Sequence, residues 1–346
     1  MDAQELLHDA LVIDLHNDTI VAHIRRGNWS LFADGDAARA GAAIRHAGTI
    51  SFVRGAEAPR PGANPIQINV PKMRHAGIDG GLFAIDVTLA FKNWLTYAAD
   101  GLGYVLHDLE TSGADAVIVK TAQDLLDAKA AGRPALLLAI EHADVVERSL
   151  NVLRILYEIG VRALGLTHNV SSWAADGNAE ARDGVGLTPF GRALVREMNR
   201  LGMVVDLAHV SPSAFFSALE IGDKPVIFSH GNCRALCDHP RNLTDDQLRA
   251  LAQNGGVIGL SFVPMFVDES APTLERFLDH VDHVAQVAGI ETLALGSDFD
   301  GGGTLLPDAL GLTQVVEGLL GRGYGEAELR AMLGENAMRV LRAVLG

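Results

Sequence analysis

Leu11-Val12-Ile13-Asp14-Leu15-His16-Asn17-Asp18 is a short apolar run that ends in an imidazole and a carboxylate. The same pattern returns along the chain. Ala135-Leu136-Leu137-Leu138-Ala139-Ile140 runs into Glu141, Met203-Val204-Val205-Asp206-Leu207 into Ala208-His209, Val226-Ile227-Phe228 into Ser229-His230, and Leu293-Ala294-Leu295-Gly296 into Ser297-Asp298. A packed core has no use for ionisable groups repeated in this way, because each unpaired polar group buried there costs free energy. A ring of parallel strands whose C-terminal ends surround one site does have a use for them.

Apolar runs bounded by turn residues predict eight strands, at 11–15, 81–87, 135–140, 161–166, 203–207, 226–228, 257–261 and 293–296. Helical patterns separate most of them, at 145–159, 188–201, 211–220, 244–253 and 274–288. Ser211-Pro212 places a capping residue before a first-turn proline, and Thr244-Asp245-Asp246-Gln247 is a capping box. Strands alternating with helices indicate an α/β protein folded as a (β/α)8 TIM barrel. We expect one barrel domain over 1–346, with an insertion at 25–73 over the barrel mouth and C-terminal helices at 325–345 sealing the barrel exterior.

Composition fits this architecture. The chain has 346 residues, 48% of them hydrophobic and only 5% aromatic, so its core must be built from Ala, Val, Leu and Ile, as buried parallel strands require. A formal charge of -15, from 28 basic and 43 acidic residues, disfavours nucleic acid or an anionic membrane as partner, since both need clustered Lys and Arg. The opening residues include Asp2, Glu5 and Asp9 where a secretion signal needs a basic start and an apolar stretch, and no apolar run has the length of a membrane span. These features lead us to expect a soluble, cytoplasmic protein. The segment from His230 to His239 carries Cys233 and Cys237 without the close cysteine pair of common zinc motifs, so we read two reduced, buried thiols.

His16 and Asp18 stand two apart at a strand end, where extended geometry sends both side chains to one face. Glu141 after six apolar residues demands a cationic partner, and taken alone it fits an arginine as well as a metal. His209 and His230 repeat the placement after two further strands. Imidazole nitrogen with carboxylate oxygen is the ligand set of hydrolytic Zn2+. Five ligands are too many for one catalytic zinc with an open position, and they suit two ions roughly 3.5 to 4 Å apart that share a carboxylate. Glu141 is the natural bridge, with His16 and Asp18 completing one site and His209 and His230 the other.

Several blocks together resemble the renal, or membrane, dipeptidase family of zinc metallopeptidases. They are Ile13-Asp14-Leu15-His16-Asn17-Asp18, the strand end at Glu141, Leu166-Thr167-His168-Asn169, Val205-Asp206-Leu207-Ala208-His209-Val210-Ser211, Phe228-Ser229-His230, Arg241-Asn242 and Gly296-Ser297-Asp298-Phe299-Asp300-Gly301. The resemblance implies a binuclear-zinc barrel of the amidohydrolase type that hydrolyses dipeptides, tolerates a D-residue at the C-terminal position and uses a hydroxide bridging the metals. It implies the metal ligands His16, Asp18, Glu141, His209 and His230. It further implies an active-site histidine at His168, a substrate-carboxylate arginine at Arg241 and a proton-shuttling aspartate at Asp298. Asp300, two residues on, competes with Asp298 on chemistry alone, beside a glycine run at 301–303 that reads as flexible.

The chain departs from the mammalian members of that family. Their secretion signal, lipid anchor and extra cysteines have no counterpart here, so neither membrane attachment nor a disulfide-linked dimer carries over, and a homodimer is left open. Phe262-Val263-Pro264-Met265-Phe266 stands where those members carry tyrosines, which bears on side-chain preference. The alternative reading keeps the barrel and metals and changes the substrate to another small amide, lactam or ester. A non-catalytic metal-binding barrel would leave His168 and Asp298 without a purpose. His280 and His283 lie three apart in an amphipathic helical pattern and read as a solvated face.

Overall fold

The structure is a computed structural model and describes residues 2–39, 66–88, 93–113, 115–180 and 185–346. Among these residues nine strands run parallel: β1 (Ile13–Asn17), β2 (Gly80–Asp86), β3 (Val117–Ile118), β4 (Ala135–Glu141), β5 (Val161–Gly165), β6 (Val204–Asp206), β7 (Ile227–Gly231), β8 (Val257–Leu260) and β9 (Leu293–Leu295). Eight of them close a ring in the order β1-β2-β4-β5-β6-β7-β8-β9, with β9 pairing back to β1 and β2 pairing directly to β4. The two-residue β3 lies outside the ring, paired to the start of β4. The fold is the expected (β/α)8 barrel, and all eight predicted strands are in it. The short β3 has too few residues to leave a periodic signal.

Side-chain alternation separates the inside of the barrel from the helical layer. Leu82, Ala84, Leu137 and Ala139 join one apolar cluster with Ile13, Ala163, Val204, Ile227, Val257 and Ala294, while Phe83, Ile85, Leu136, Leu138 and Ile140 join another with the helices. This two-residue period, buried on both sides, is what a parallel strand between a filled interior and covering helices requires. The final helix, Asn336–Leu345, supplies Ala337, Met338, Val340, Leu341 and Val344 to the interior cluster. It therefore closes the N-terminal mouth rather than sealing the exterior, because Ile13, Val204 and Val257 at the strand starts leave an apolar rim to be covered.

Helix boundaries follow local chemistry. Ser211 Oγ accepts from Ala214 N ahead of Pro212–Ile221, and Thr244 with Gln247 forms the expected capping box of Asp245–Asn254. The helix expected over 145–159 is shorter, Leu150–Ile159, because Glu147 and Arg148 take positive φ values of 47° and 60° and turn the chain between it and a 3-10 turn. Residues 40–65, most of the expected insertion, lie outside the described residues. Among the described residues no helix is long and apolar enough to cross a membrane.

Candidate metal centre

The C-terminal ends of the strands enclose a cavity of about 270 Å³ whose walls include His16 and Asp18 after β1, Asp86 at the end of β2, Glu141 at the end of β4 and His168 after β5. His209 follows β6, His230 lies in β7 and Asp298 follows β9, all on the same cavity. Glu141 and Asp86 arrive by simple alternation from the inward Leu137, Ala139, Leu82 and Ala84. His16 and His230 do not: Ile13, Leu15 and Ile227 face inward, and strict alternation would send both histidines out. The pairing register slips between Asp14 and Asn17 in β1 and between Phe228 and Gly231 in β7. An irregularity of this kind re-aims a side chain at the end of a strand.

The donor atoms converge. His209 Nε2 lies 2.9 Å from Glu141 Oε1 and 2.8 Å from His230 Nε2, His230 Nε2 lies 3.7 Å from Glu141 Oε1, and His16 Nε2 lies 3.4 Å from Asp18 Oδ2. The His16 and His230 rings pack tilted with centroids 3.8 Å apart, and His168 stacks on His209 at 4.3 Å with its Nε2 at 4.0 Å from Glu141 Oε2. Three groups have ligand atoms close enough to share an ion: His16, Glu141 and His230; Glu141, His168 and His209; His16, Asp18 and Asp298. Burial holds His209 and His230 well below the ordinary imidazole range, with the Arg241 charge adding to it at His209 and the His16 charge at His230. Both rings are thus neutral and present lone pairs. Burial pushes Glu141 well up, against the opposing pull of His16. Burial would lower His16 too, but Asp18 and Glu141 reverse this and bring it to about 10. His16 Nε2, Asp18 Oδ1 and Glu141 Oε1 are buried without a well-directed hydrogen bond. Neutral imidazoles and under-satisfied carboxylates pointed at one another are a costly arrangement that a divalent cation relieves, so the donor set fits metal ions.

Neighbouring groups fix the orientation of these side chains. His209, at φ 66°, sets its Nδ1 2.8 Å from Asn169 Oδ1, and His230 Nδ1 lies 2.9 Å from Ser229 Oγ. Both contacts engage Nδ1, so each ring turns Nε2 toward the cavity, the orientation that presents Nε2 to a metal. Asp206 Oδ1 accepts from the backbone N–H of Ala208 and of Ser229, tying the two histidine-bearing segments together at 3.0 Å each. Asp14 accepts from Ser297 N at 2.8 Å and Ser297 Oγ at 2.7 Å, which joins β1 to the Asp298 segment.

Asp298 lies within ligand distance of His16 and Asp18, and burial pushes its carboxyl to about 7. Its carbonyl accepts the N–H groups of Gly301, Gly302 and Gly303 at 3.2, 3.0 and 2.7 Å. The glycine run is therefore a fastened turn rather than a flexible loop. A Cβ on Gly301 would meet Asp18 Oδ2 at 2.1 Å and Asp298 Oδ1 at 2.2 Å. Gly301→Ala is expected to displace both carboxylates and lower kcat/KM by roughly 100-fold, the scale of a misplacement near 1 Å, with secondary structure unchanged by circular dichroism.

Arg241 is 4% exposed, donates from Nη2 to His230 O at 3.2 Å, and packs against Phe228 and Phe266 with centroid distances of 5.8 and 5.3 Å. Its Nε and Nη1 are buried without a partner, and burial draws the guanidinium down to about 10. Asp300 lines the cavity but is committed elsewhere, accepting from Arg26 Nη1 at 2.8 Å, Gln67 N at 2.9 Å and Ile68 N at 3.3 Å. Cys233 and Cys237 are unpaired and buried. His280 is not on a solvated face: it is fully buried, accepts from Cys233 N at 3.1 Å and sets Nε2 at 2.8 Å from Val267 O, because it shares the inward stripe of its helix with Phe277 and Val281. His283 is paired with Asp245 at 2.7 Å. Asp86 and Asn169 were not singled out by the sequence, although Asp86 obeys the strand-end rule that found Glu141.

Comparison with known proteins agrees with this geometry. The family profile described as membrane dipeptidase (peptidase family M19) matches residues 1–345. Among curated proteins, dipeptidase verJ of Clonostachys rogersoniana is 37% identical over 248 residues, covering 69% of this chain and 63% of that one. Dipeptidase tcpJ of Claviceps purpurea (strain 20.1) is 41% identical over 229 residues, covering 64% and 54%. The chain thus matches less than two thirds of the length of these relatives. Among solved structures, dipeptidase AC, a metallopeptidase of family M19, superposes with a TM-score of 0.81 at 25% identity over 97% of this chain and 99% of that one. A metallopeptidase from Rhodobacter sphaeroides, liganded with a phosphinate mimic of L-Ala-D-Ala, gives 0.80 at 24% identity over the same shares and bears on the fold. Matched along nearly its whole length by the family profile, the chain belongs to the membrane dipeptidase family, peptidase family M19.

Proposed function

We propose that this chain is a dipeptidase that hydrolyses the peptide bond of small dipeptides, L-Xaa-D-Xaa among them, with two Zn2+ bridged by Glu141. The observation that carries the reading is the convergence of neutral His209 and His230 on the buried, under-satisfied Glu141 carboxylate. His16, Asp18 and Glu141 would hold one ion, and Glu141, His209 and His230 the other. When bound, such a pair supplies an activated water and polarises the scissile carbonyl. No serine or cysteine nucleophile is then required, and the buried Cys233 and Cys237, whose thiols burial pushes up, are unsuited to that role. Two unpaired thiols also agree with a cytoplasmic setting.

The remaining residues divide the work on the substrate. His168, stacked on His209 and more exposed than the other histidines of the cavity, donates from its ring to the oxygen that gains charge as the carbonyl is attacked. Asp298, its affinity for a proton raised by burial, accepts a proton from the attacking water and delivers it to the leaving amine. Arg241 takes the substrate's C-terminal carboxylate through Nε and Nη1. Because neither nitrogen reaches the cavity surface, capture involves a shift of the guanidinium or of the Phe266 ring that walls it off.

The test combines metal analysis with turnover of L-Ala-D-Ala by the purified, zinc-loaded protein. Two equivalents of metal and steady hydrolysis are expected, and Asp298→Asn is expected to lower kcat by roughly 100- to 10,000-fold with a far smaller change in KM. Hydrolysis of lactams or esters with no dipeptide turnover would replace the dipeptidase reading by a broader amidohydrolase.

A further inference from the structure

We propose that Asp86, at the end of β2, is the subsite for the cationic group of the substrate's N-terminal residue, and so a specificity determinant distinct from the metal ligands. The proposal rests on the dipeptidase reading above. Leu82 and Ala84 fill the barrel interior, so alternation turns Asp86 inward at the next step, and its pairing with Glu141 puts the two carboxylates side by side at the same level of the ring. Asp86 lines the cavity, yet it belongs to none of the three groups whose atoms are close enough to share an ion.

The side chain is held for a purpose that the metals do not explain. Thr88 N and Thr88 Oγ donate to Asp86 Oδ1 at 2.8 and 2.6 Å, and no described residue donates to Oδ2. One oxygen is thereby anchored, and among the described residues nothing bonds to the other. Arg25 lines the same cavity and has interactions of its own.

Position around the ring identifies what this oxygen receives. The order β1-β2-β4-β5-β6-β7-β8-β9 places β2 four strands from β7, diametrically across the barrel, and the loop after β7 carries Arg241. A dipeptide with its carboxylate at Arg241 and its scissile carbonyl over Glu141 points its first residue toward β2. That residue carries an α-ammonium, and in some substrates a side-chain ammonium as well. A fixed carboxylate with one free oxygen is the complement of either.

Asp86→Asn keeps an oxygen for both Thr88 donors and removes the charge. Wild type and variant are compared on L-Ala-D-Ala, N-acetyl-L-Ala-D-Ala and L-Lys-D-Ala, with metal content measured in parallel. For L-Ala-D-Ala we expect kcat/KM to fall about 10- to 100-fold, the usual weight of a hydrogen bond to a charged group, with the loss carried by KM. Wild type should prefer the free amine over the acetylated substrate, and the variant should lose that preference while retaining its metal. A loss confined to L-Lys-D-Ala assigns the same subsite to the side-chain ammonium. Equal losses on free and acetylated substrates, unaltered kinetics on all three, or loss of a metal equivalent would overturn the assignment while leaving the dipeptidase reading in place. A wild type inactive on every dipeptide would remove that reading, and the ligand proposed for Asp86 with it.

Discussion

His209→Ala and His230→Ala are each expected to retain one of two metal equivalents and to lose roughly 1,000-fold or more in kcat/KM, with the fold intact. The size follows from the several kcal/mol of charge stabilisation that a catalytic divalent ion supplies. Preservation of the fold follows from where the rings sit. They project into a polar cavity, while the interior of the barrel is filled by Leu82, Ala84, Leu137, Ala139 and the face of Asn336–Leu345. The neutral state of both imidazoles is set by burial, so each offers a lone pair without first losing a proton, and deletion of one leaves Glu141 with a single imidazole partner on that side. Metal analysis by mass spectrometry, with circular dichroism as control, measures the outcome. His168→Ala provides the contrast. Its Nε2 is also within ligand distance of Glu141, but in the assignment above it serves the oxyanion, so the variant should keep both equivalents while kcat falls. If His168→Ala sheds an ion and His230→Ala does not, the ligand set has to be redrawn.

Much of this site could be read from strand ends, since an imidazole or carboxylate that closes an apolar run has few inexpensive places to go. The rule reaches His16, Glu141, His209 and His230 because each stands at such an end, and it fails where sequence conceals geometry. Asp86 closes β2 in the same manner as Glu141 closes β4, but Val87 follows it and prolongs the apolar run, so the boundary is blurred. Register slips in β1 and β7 turn His16 and His230 inward, and no residue pattern announces them. Glycines at 301–303 look like slack in a sequence, whereas their N–H groups all converge on the Asp298 carbonyl. His280 looked solvated beside charged neighbours because a helix period assigns a face but not what packs on it. Residue type and spacing therefore reveal which groups are costly to bury, and long-range contacts decide which of them meet.

In the proposed reaction Arg241 would set the length of the substrate. If its guanidinium takes the C-terminal carboxylate, one residue fits between that anchor and the scissile carbonyl above Glu141, so the enzyme should cut dipeptides and refuse both tripeptides and C-terminal amides. Burial with Nε and Nη1 unpartnered is the physical motive, because Glu141, Asp298 and Asp206 offset the desolvation of the guanidinium only in part and none of them bonds to those two nitrogens. Arg241→Ala should cost about 2 to 5 kcal/mol in kcat/KM on dipeptides, the range for losing one partner of a buried charge pair. On an amidated dipeptide, which offers no carboxylate, the same substitution should change far less. Stability enters as a separate readout: the arginine also packs on Phe228 and Phe266, so a truncated side chain loses contacts there, and Arg241→Met, which restores apolar bulk without charge, should recover the melting temperature but not the activity. Equal losses on carboxylate and amide substrates, or tripeptides cut as readily as dipeptides by the wild type, would mean that the carboxylate is anchored elsewhere and that substrate length is set by the cavity walls.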